Sequence, residues 1–215
     1  MIRVFFTGAG GTGKTSVLDS IVIVLAEMGY KVEKFGSVAR SFFAENGIAT
    51  EAAGLDRPEE DRLDFQSRLF DWYCNKLEEA SIKAKSTGCD LMFADRSPFD
   101  HQAYITYSAP NFRSMSSIKE GLDKSVEILT DARFASEIFL FPSLCNWMKP
   151  EVVAEGMRFA PPGKNFMIHS LIKASLDDRY IPYLMFEPES SVEERGNQII
   201  DSLKASGNVS CSYRS

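Results

Sequence analysis

The chain has 215 residues, of which 44% are hydrophobic and 25% charged, a composition that excludes an intrinsically disordered chain and leaves room for one α/β domain with a full core. Its formal net charge of −6 argues against duplex nucleic acid as the main ligand, because that ligand demands a basic face. A local cluster of cations around a small phosphorylated ligand is compatible with the same balance.

Ile2 to Thr7 is a short apolar run ending in a glycine-rich turn, which predicts a buried strand of a parallel sheet. From Lys14 to Met28 the apolar positions recur at three-to-four spacing and Gly29 marks the stop, so the first helix lies there. Lys31 to Phe35 reads as strand two. A helix follows through Val38 to Phe43 and stops near Gly47, before a loop over residues 48 to 57. Pro58 opens a long helix to about Lys85, with an inward stripe of Leu63, Gln66, Phe70, Tyr73, Leu77, Ala80 and Ala84.

Leu91 to Ala94 is strand three and carries Asp95 at its carboxyl end. Ser97 fits a helix N-cap, Pro98 the first helical position and Asp100 the third, so a helix starts there. A polar connection over 108 to 117 leads to a helix from about Ile118 to Phe134, then strand four at Ile138 to Phe141. Residues 149 to 165 hold three prolines and two glycines and read as a mobile, lid-like excursion. A helix from about Phe166 to Asp177, strand five at Tyr183 to Phe186 and a last helix with Val192, Ile199, Ile200 and Leu203 complete the pattern.

Strands and helices alternate throughout. The expected fold is a three-layer α/β arrangement of the P-loop nucleoside-triphosphate hydrolase type, with a five-stranded parallel sheet and ligands beyond the strands' carboxyl ends. A single domain over 1 to 206 is expected, with a flexible tail after it. The longest apolar runs, such as Ile21 to Ala26, are too short to cross a bilayer, and no signal peptide is visible. Cys74, Cys89, Cys145 and Cys211 lack CxxC spacing and nearby histidines, so neither a zinc site nor a disulfide framework is expected and a reducing cytoplasm fits.

Gly8-Ala9-Gly10-Gly11-Thr12-Gly13-Lys14-Thr15 meets the GxxxxGK[ST] pattern in full, with a strand before it and a helix after it. Its glycines let backbone N–H groups turn inward around phosphate oxygens, and the helix N-terminus adds partial positive charge. Lys14 reaches the β- and γ-phosphates, the Thr15 hydroxyl ligates Mg²⁺, and Ser16 completes the nucleotide-binding run. Asp95 either orients magnesium-bound water, accepts the proton of an attacking hydroxyl, or caps the following turn. Arg96 clamps an acceptor phosphate, stabilises transferring charge, or pairs with a neighbouring acid.

Gln66 either bonds an acceptor base or satisfies buried backbone. His101 has no metal-like partner and reads as a surface or hydrogen-bonded structural residue, while Phe70, Trp72 and Tyr73 read as core. Arg158 in the lid-like stretch can neutralise the charge of a transferring phosphoryl group on closure, or be a solvated loop arginine; Lys164 is a weaker candidate for that work.

GAGGTGKT, ADRSPFDHQAY, VVAEGMRF and SVEERGNQII together resemble the P-loop kinase-like family that includes the ribosylnicotinamide kinase domain of a bacterial NAD-biosynthesis regulator. The DRSP element also resembles, more distantly, the strand-three signature of deoxynucleoside and thymidylate kinases. The resemblance implies ATP and Mg²⁺ as donor, and an acceptor held between the long third helix and the strand-three loop. It places Asp95 beside the acceptor hydroxyl or magnesium, Arg158 in the lid segment and Arg40 on the acceptor side. Glu155 is a conservative change from the family's lid aspartate, whereas Ser37 stands where the family often carries an acid, so nicotinamide riboside does not carry over as the acceptor.

The function expected is transfer of the γ-phosphoryl group of ATP to a nucleoside or nucleoside monophosphate. The alternatives are an ATP-binding regulatory or interaction protein without small-molecule turnover, and a polynucleotide kinase. GTP is a lesser candidate donor, because no Asn-Lys-x-Asp guanine-reading segment appears.

Overall fold

β1 (Ile2–Thr7) is buried along its whole length because it is the middle strand of the sheet, covered by helices on both faces. The computed structural model describes residues 1–36, 38–47, 59–108, 115–143 and 162–207. After β1 come α1 (Lys14–Glu27), β2 (Val32–Phe35), α2 (Val38–Glu45), α3 (Glu59–Ser86), β3 (Leu91–Ala94), α4 (Pro98–Ser108) and α5 (Met115–Leu129). β4 (Ala135–Leu140), α6 (Pro162–Asp178), β5 (Leu184–Met185) and α7 (Val192–Ala205) follow. The five strands lie in the order β2-β3-β1-β4-β5, all parallel, as the alternation of strands and helices predicts.

Strand side chains alternate between the faces, and this divides the core in two. Val4 and Phe6 of β1, with Phe93 and Phe139, pack against Val17, Ile21 and Leu25 of α1 and Ile199 and Leu203 of α7. Phe5, Met92 and Ile138 face the other way, onto Tyr73 and Leu77 of α3, Phe99 of α4 and Ile168 and Ile172 of α6. Full burial of each such side chain contributes roughly 1.5–3 kcal/mol. Phe6 also meets Phe93 edge-on, with ring centres 5.6 Å apart.

Several boundaries differ from expectation. The helix expected over 118 to 134 runs Met115–Leu129, because Asp131 turns the chain: its carboxylate accepts the Arg133 N–H at 2.9 Å and its carbonyl the Phe134 N–H at 2.9 Å. β4 accordingly starts at Ala135 rather than Ile138. α6 starts at Pro162, inside the stretch read as loop to Asn165, since proline needs no N–H partner at the first helical position. The rest of that stretch, the loop at 48 to 57 and the tail from 208 lie outside the described residues.

α3 buries a broader face than its predicted stripe. Phe65 and Leu69 are buried against Phe42 and Phe43 of α2, while Leu63, Gln66 and Ala80 are only half-buried, because the helix serves two partners, α2 and the sheet. Arg3 is an unexpected charge within the apolar run of β1. It is buried, donates to Ser136 Oγ at 3.0 Å and to the Ile128 carbonyl, and lies over the Phe134 ring at 4.6 Å. Cys74 and Cys89 are buried thiols, and burial pushes Cys74 up to about 12. Among the described residues no helix is long and apolar enough to cross a membrane.

Candidate functional site

The loop between β1 and α1 opens at the carboxyl end of the sheet, where β1 delivers Thr7 and Gly8. Gly8 has φ 141°, and a side chain there would place its Cβ 2.7 Å from the Phe141 carbonyl oxygen, so only glycine lets the loop leave the strand this way. Gly13 enters α1 at φ 85° with no side-chain cap, leaving the first-turn N–H groups of that helix to an external acceptor. Lys14 is buried, and its ammonium donates to the Gly8 carbonyl at 2.8 Å, the Ala9 carbonyl at 2.6 Å and Thr12 Oγ1 at 3.2 Å. It is thereby folded over its own loop. Thr15 and Ser16 are exposed.

β3 ends beside β1 and sets Asp95 against the start of α1. The Thr15 hydroxyl donates to Asp95 Oδ2 at 2.8 Å, so two hard oxygen donors from separate elements meet at the mouth of the loop. That donor set fits Mg²⁺, which takes a hydroxyl and a carboxylate and completes its shell with phosphate and water oxygens. Among the described residues no group of three or more His, Cys, Asp or Glu side chains offers a competing metal centre.

Asp100 has a larger part than capping α4. Its side chain is fully buried, with Oδ1 accepting from the Gly8 N–H at 2.9 Å and Oδ2 accepting from Ser97 N and Ser97 Oγ, each at 2.8 Å, and from the Thr7 hydroxyl. An Arg96 guanidinium nitrogen lies 3.4 Å from Oδ1. A buried carboxylate without such donors would cost several kcal/mol. Here they join the phosphate loop to the loop that carries Asp95.

Arg96 itself has φ 138°, a conformation that strains a residue with a side chain by roughly 1–3 kcal/mol. The Tyr73 hydroxyl holds it there by donating to the Arg96 carbonyl at 2.7 Å. Burial opposes the Arg96 charge, but the Tyr104 phenol and the carboxylates of Asp100 and Asp95 outweigh it and raise the guanidinium above its ordinary value. His101 corrects the surface or hydrogen-bonded reading. It is buried, lies tilted against the Tyr73 ring with ring centres 4.2 Å apart, and its Nε2 has no hydrogen-bond partner among the described residues; burial and the Arg96 charge push it down to about 3, so it is neutral.

The structure therefore brings together Gly8 to Thr15, Asp95 and Arg96. Gln66 is half-buried on α3, and Arg40 is exposed on α2; neither forms a hydrogen bond or ion pair with the phosphate loop or Asp95 among the described residues. Arg158, Glu155 and Ser37 lie outside the described residues. Phe70 and Tyr73 are core, while Trp72 is half-buried and donates through Nε1 to Glu45 at 3.0 Å.

Two residues that sequence reasoning passed over contact the loop. Asn165, in the first turn of α6, donates to the Gly10 carbonyl at 3.3 Å. Arg195 of α7 is fully buried and donates to the carbonyls of Thr12 at 3.1 Å, Pro188 at 3.1 Å and Glu187 at 3.4 Å, packed against the rings of Phe141 and Phe186. Its sequence signal was a charge at a position of the Val192, Ile199, Leu203 stripe.

Sheet order, strand–loop–helix geometry and the loop's own sequence define a P-loop nucleotide-binding protein of α/β fold. The chain belongs to a family described as the AAA domain, whose model matches residues 3–195. No curated protein matches its sequence significantly. Its fold is similar to a crystal structure of NadR protein in complex with NAD and AMP-PNP, at TM-score 0.65 and 13% identity, covering 98% of this chain and 51% of that one. It is similar again to NadR protein in complex with NR, at TM-score 0.66 and 15% identity, covering 100% of this chain and 54% of that one. The chain thus spans about half the length of these structures. They agree with the family resemblance carried by the four sequence segments.

Proposed function

We propose that this protein is an ATP- and Mg²⁺-dependent phosphotransferase that moves the γ-phosphoryl group to a nucleoside or nucleoside monophosphate, acting as a single P-loop domain over residues 1 to 206. The observation that carries the reading is the meeting of Thr15 and Asp95 at 2.8 Å, with Arg96 next in the chain. A binding loop alone needs a phosphate grip. Transfer needs, in addition, a carboxylate and a cation held beside the place where the γ-phosphate is gripped.

In this reading the loop N–H groups from Gly8 to Thr15 and the Lys14 ammonium hold the triphosphate, Lys14 exchanging its loop carbonyls for phosphate oxygens. Thr15 and Asp95 hold Mg²⁺, which neutralises charge on the phosphates when bound. Asp95 also orients the acceptor, and Arg96, kept charged by its neighbours, offsets charge on the oxygens in transfer. Arg158, from the lid-like stretch, adds a second positive charge on closure, and Gln66 and Arg40 contribute to the acceptor side. The NadR structures, with AMP-PNP in one and NR in the other, support ATP as donor and a nucleoside-like acceptor by analogy of fold.

The test is ADP release measured against a panel of nucleosides, deoxynucleosides and monophosphates, with Lys14→Ala and Asp95→Asn as controls. Acceptor-dependent release is expected from wild type. Lys14→Ala loses tight ATP binding, and Asp95→Asn loses at least about 100-fold in rate. Tight ATP binding with no acceptor-dependent release from any member of the panel would favour a regulatory protein instead.

A further inference from the structure

Two cations near the site have no ion-pair partner among the described residues. Arg62, in the first turns of α3, has its Nε buried without a hydrogen-bond acceptor among the described residues. Lys164, in the first turn of α6, is half-buried, with its ammonium 5.4 Å from the centre of the Tyr107 ring and 6.0 Å from that of Tyr104. Among the described residues neither forms an ion pair, whereas Arg68, Lys76 and Lys173 on the same two helices do; Lys83 and Lys85 form none either, but both are exposed to water. The Arg62 charge bears on Lys164 and, after burial, is the second cause that lowers its affinity for a proton.

Tyr104 connects this pair to the reaction site, because Arg96 lies on the same ring at 5.6 Å from its centre. The three cations come from three elements, α3, the β3–α4 loop and α6. Arg96 has the Asp100 carboxylate beside it, but holding Arg62 and Lys164 close enough to repel, one with a desolvated and unsatisfied N–H, is costly unless a ligand supplies negative charge. Phosphate oxygens do so in the geometry that guanidinium groups favour.

We propose that Arg62 and Lys164, together with Arg96, bind a phosphate group already present on the acceptor, so that the substrate class is a nucleoside monophosphate rather than a free nucleoside. This inference rests on the phosphotransferase reading of the site. A phosphate oxygen of the acceptor attacks the γ-phosphorus of ATP, and a new P–O bond forms as the bond from that phosphorus to the β,γ-bridging oxygen breaks. ADP leaves with the bond's electron pair and the acceptor becomes a diphosphate. A monophosphate dianion carries no proton that must be removed, so Asp95 serves the metal and the alignment of the acceptor rather than acting as a base. The cluster also opposes a cationic base, in line with the absence of an acid at Ser37.

The test is calorimetric binding to protein preloaded with AMP-PNP and Mg²⁺, using AMP, GMP, CMP, UMP and dTMP and their parent nucleosides. At least one monophosphate is expected to bind at least about tenfold tighter than its nucleoside. Arg62→Ala is expected to remove that advantage while leaving AMP-PNP affinity within about twofold, and Arg62→Lys to restore part of it. Equal or tighter binding of the nucleosides, no binding by any monophosphate, or an undiminished advantage in a folded Arg62→Ala protein would overturn the inference. Monophosphate binding without ADP release would instead remove the phosphotransferase reading and keep the anion site; turnover of nucleosides alone would do the reverse.

Discussion

The Gly8 N–H donates to Asp100 Oδ1 at 2.9 Å, joining the first residue of the phosphate loop to the first turn of α4 through one buried carboxylate. The same carboxylate bonds Ser97 in the loop that bears Asp95, so donor grip and strand-three acid share a support. Asp100→Asn turns an acceptor of several hydrogen bonds into a side chain whose amide group faces donors. A loss of about 3–5 kcal/mol in denaturant stability is expected, and ATP affinity should fall as well. If the variant keeps wild-type ATP affinity once folded, the carboxylate serves α4 alone.

Thr15 bonds only Asp95 through its hydroxyl among the described residues, and that bond must be exchanged for metal contact if the pair holds Mg²⁺. Thr15→Ala should raise the Mg²⁺ concentration for half-maximal ADP release by about tenfold, whereas Thr15→Ser should stay near wild type, since one oxygen ligand is lost in the first case only. Chelation by EDTA should abolish release from both. An unaltered Mg²⁺ requirement in the alanine variant would place the metal elsewhere.

Much of this fold was legible because its signals are local. Buried parallel strands read as apolar runs, so the bounds expected for β3 coincide with those found, and the glycine pattern of residues 8 to 15 carries its mechanism in the backbone. Asp95 was legible for the same reason, standing at a strand end. Asp100 was read only as a cap, because its long-range partners Thr7 and Gly8 are invisible to spacing. Arg3 and Arg195 lay hidden within apolar patterns, where a single charge looks like noise until tertiary packing supplies carbonyl partners. Helix ends were shifted where a side chain turns the chain, as Asp131 does after α5.

Arg195 links the Thr12 carbonyl in the phosphate loop to those of Glu187 and Pro188 after β5. Arg195→Met keeps an apolar stem against Phe141 and Phe186 but removes donors from three carbonyls. Hydrogen bonds from a charged donor contribute about 1.5–3 kcal/mol each, and relief from burying the charge offsets part of that, so a net loss of roughly 2–4 kcal/mol is expected. Because Thr12 lies in the loop, ATP affinity of the folded variant should also fall by about tenfold. A lowered Tm with unaltered ATP affinity would restrict Arg195 to packing.

His101 gives stability a pH dependence whose sign follows from its burial. In the unfolded chain it takes up a proton near its ordinary value of 6.5, whereas in the folded protein burial and the Arg96 charge hold it neutral to about 3. Between those values the unfolded state binds one proton more than the native state, so stability rises with pH, is complete above about 6.5 and is lost as pH falls toward 3. The slope due to this residue approaches about 1.4 kcal/mol per pH unit. His101→Leu fills the space beside Tyr73 without titrating. Urea denaturation of both proteins from pH 7 to about 4.5 should therefore show wild type losing stability faster than the variant, the carboxylates that titrate near the lower limit being common to the two. Parallel curves would mean that His101 titrates in the folded protein as it does in the unfolded chain, so that its burial does not hold it neutral.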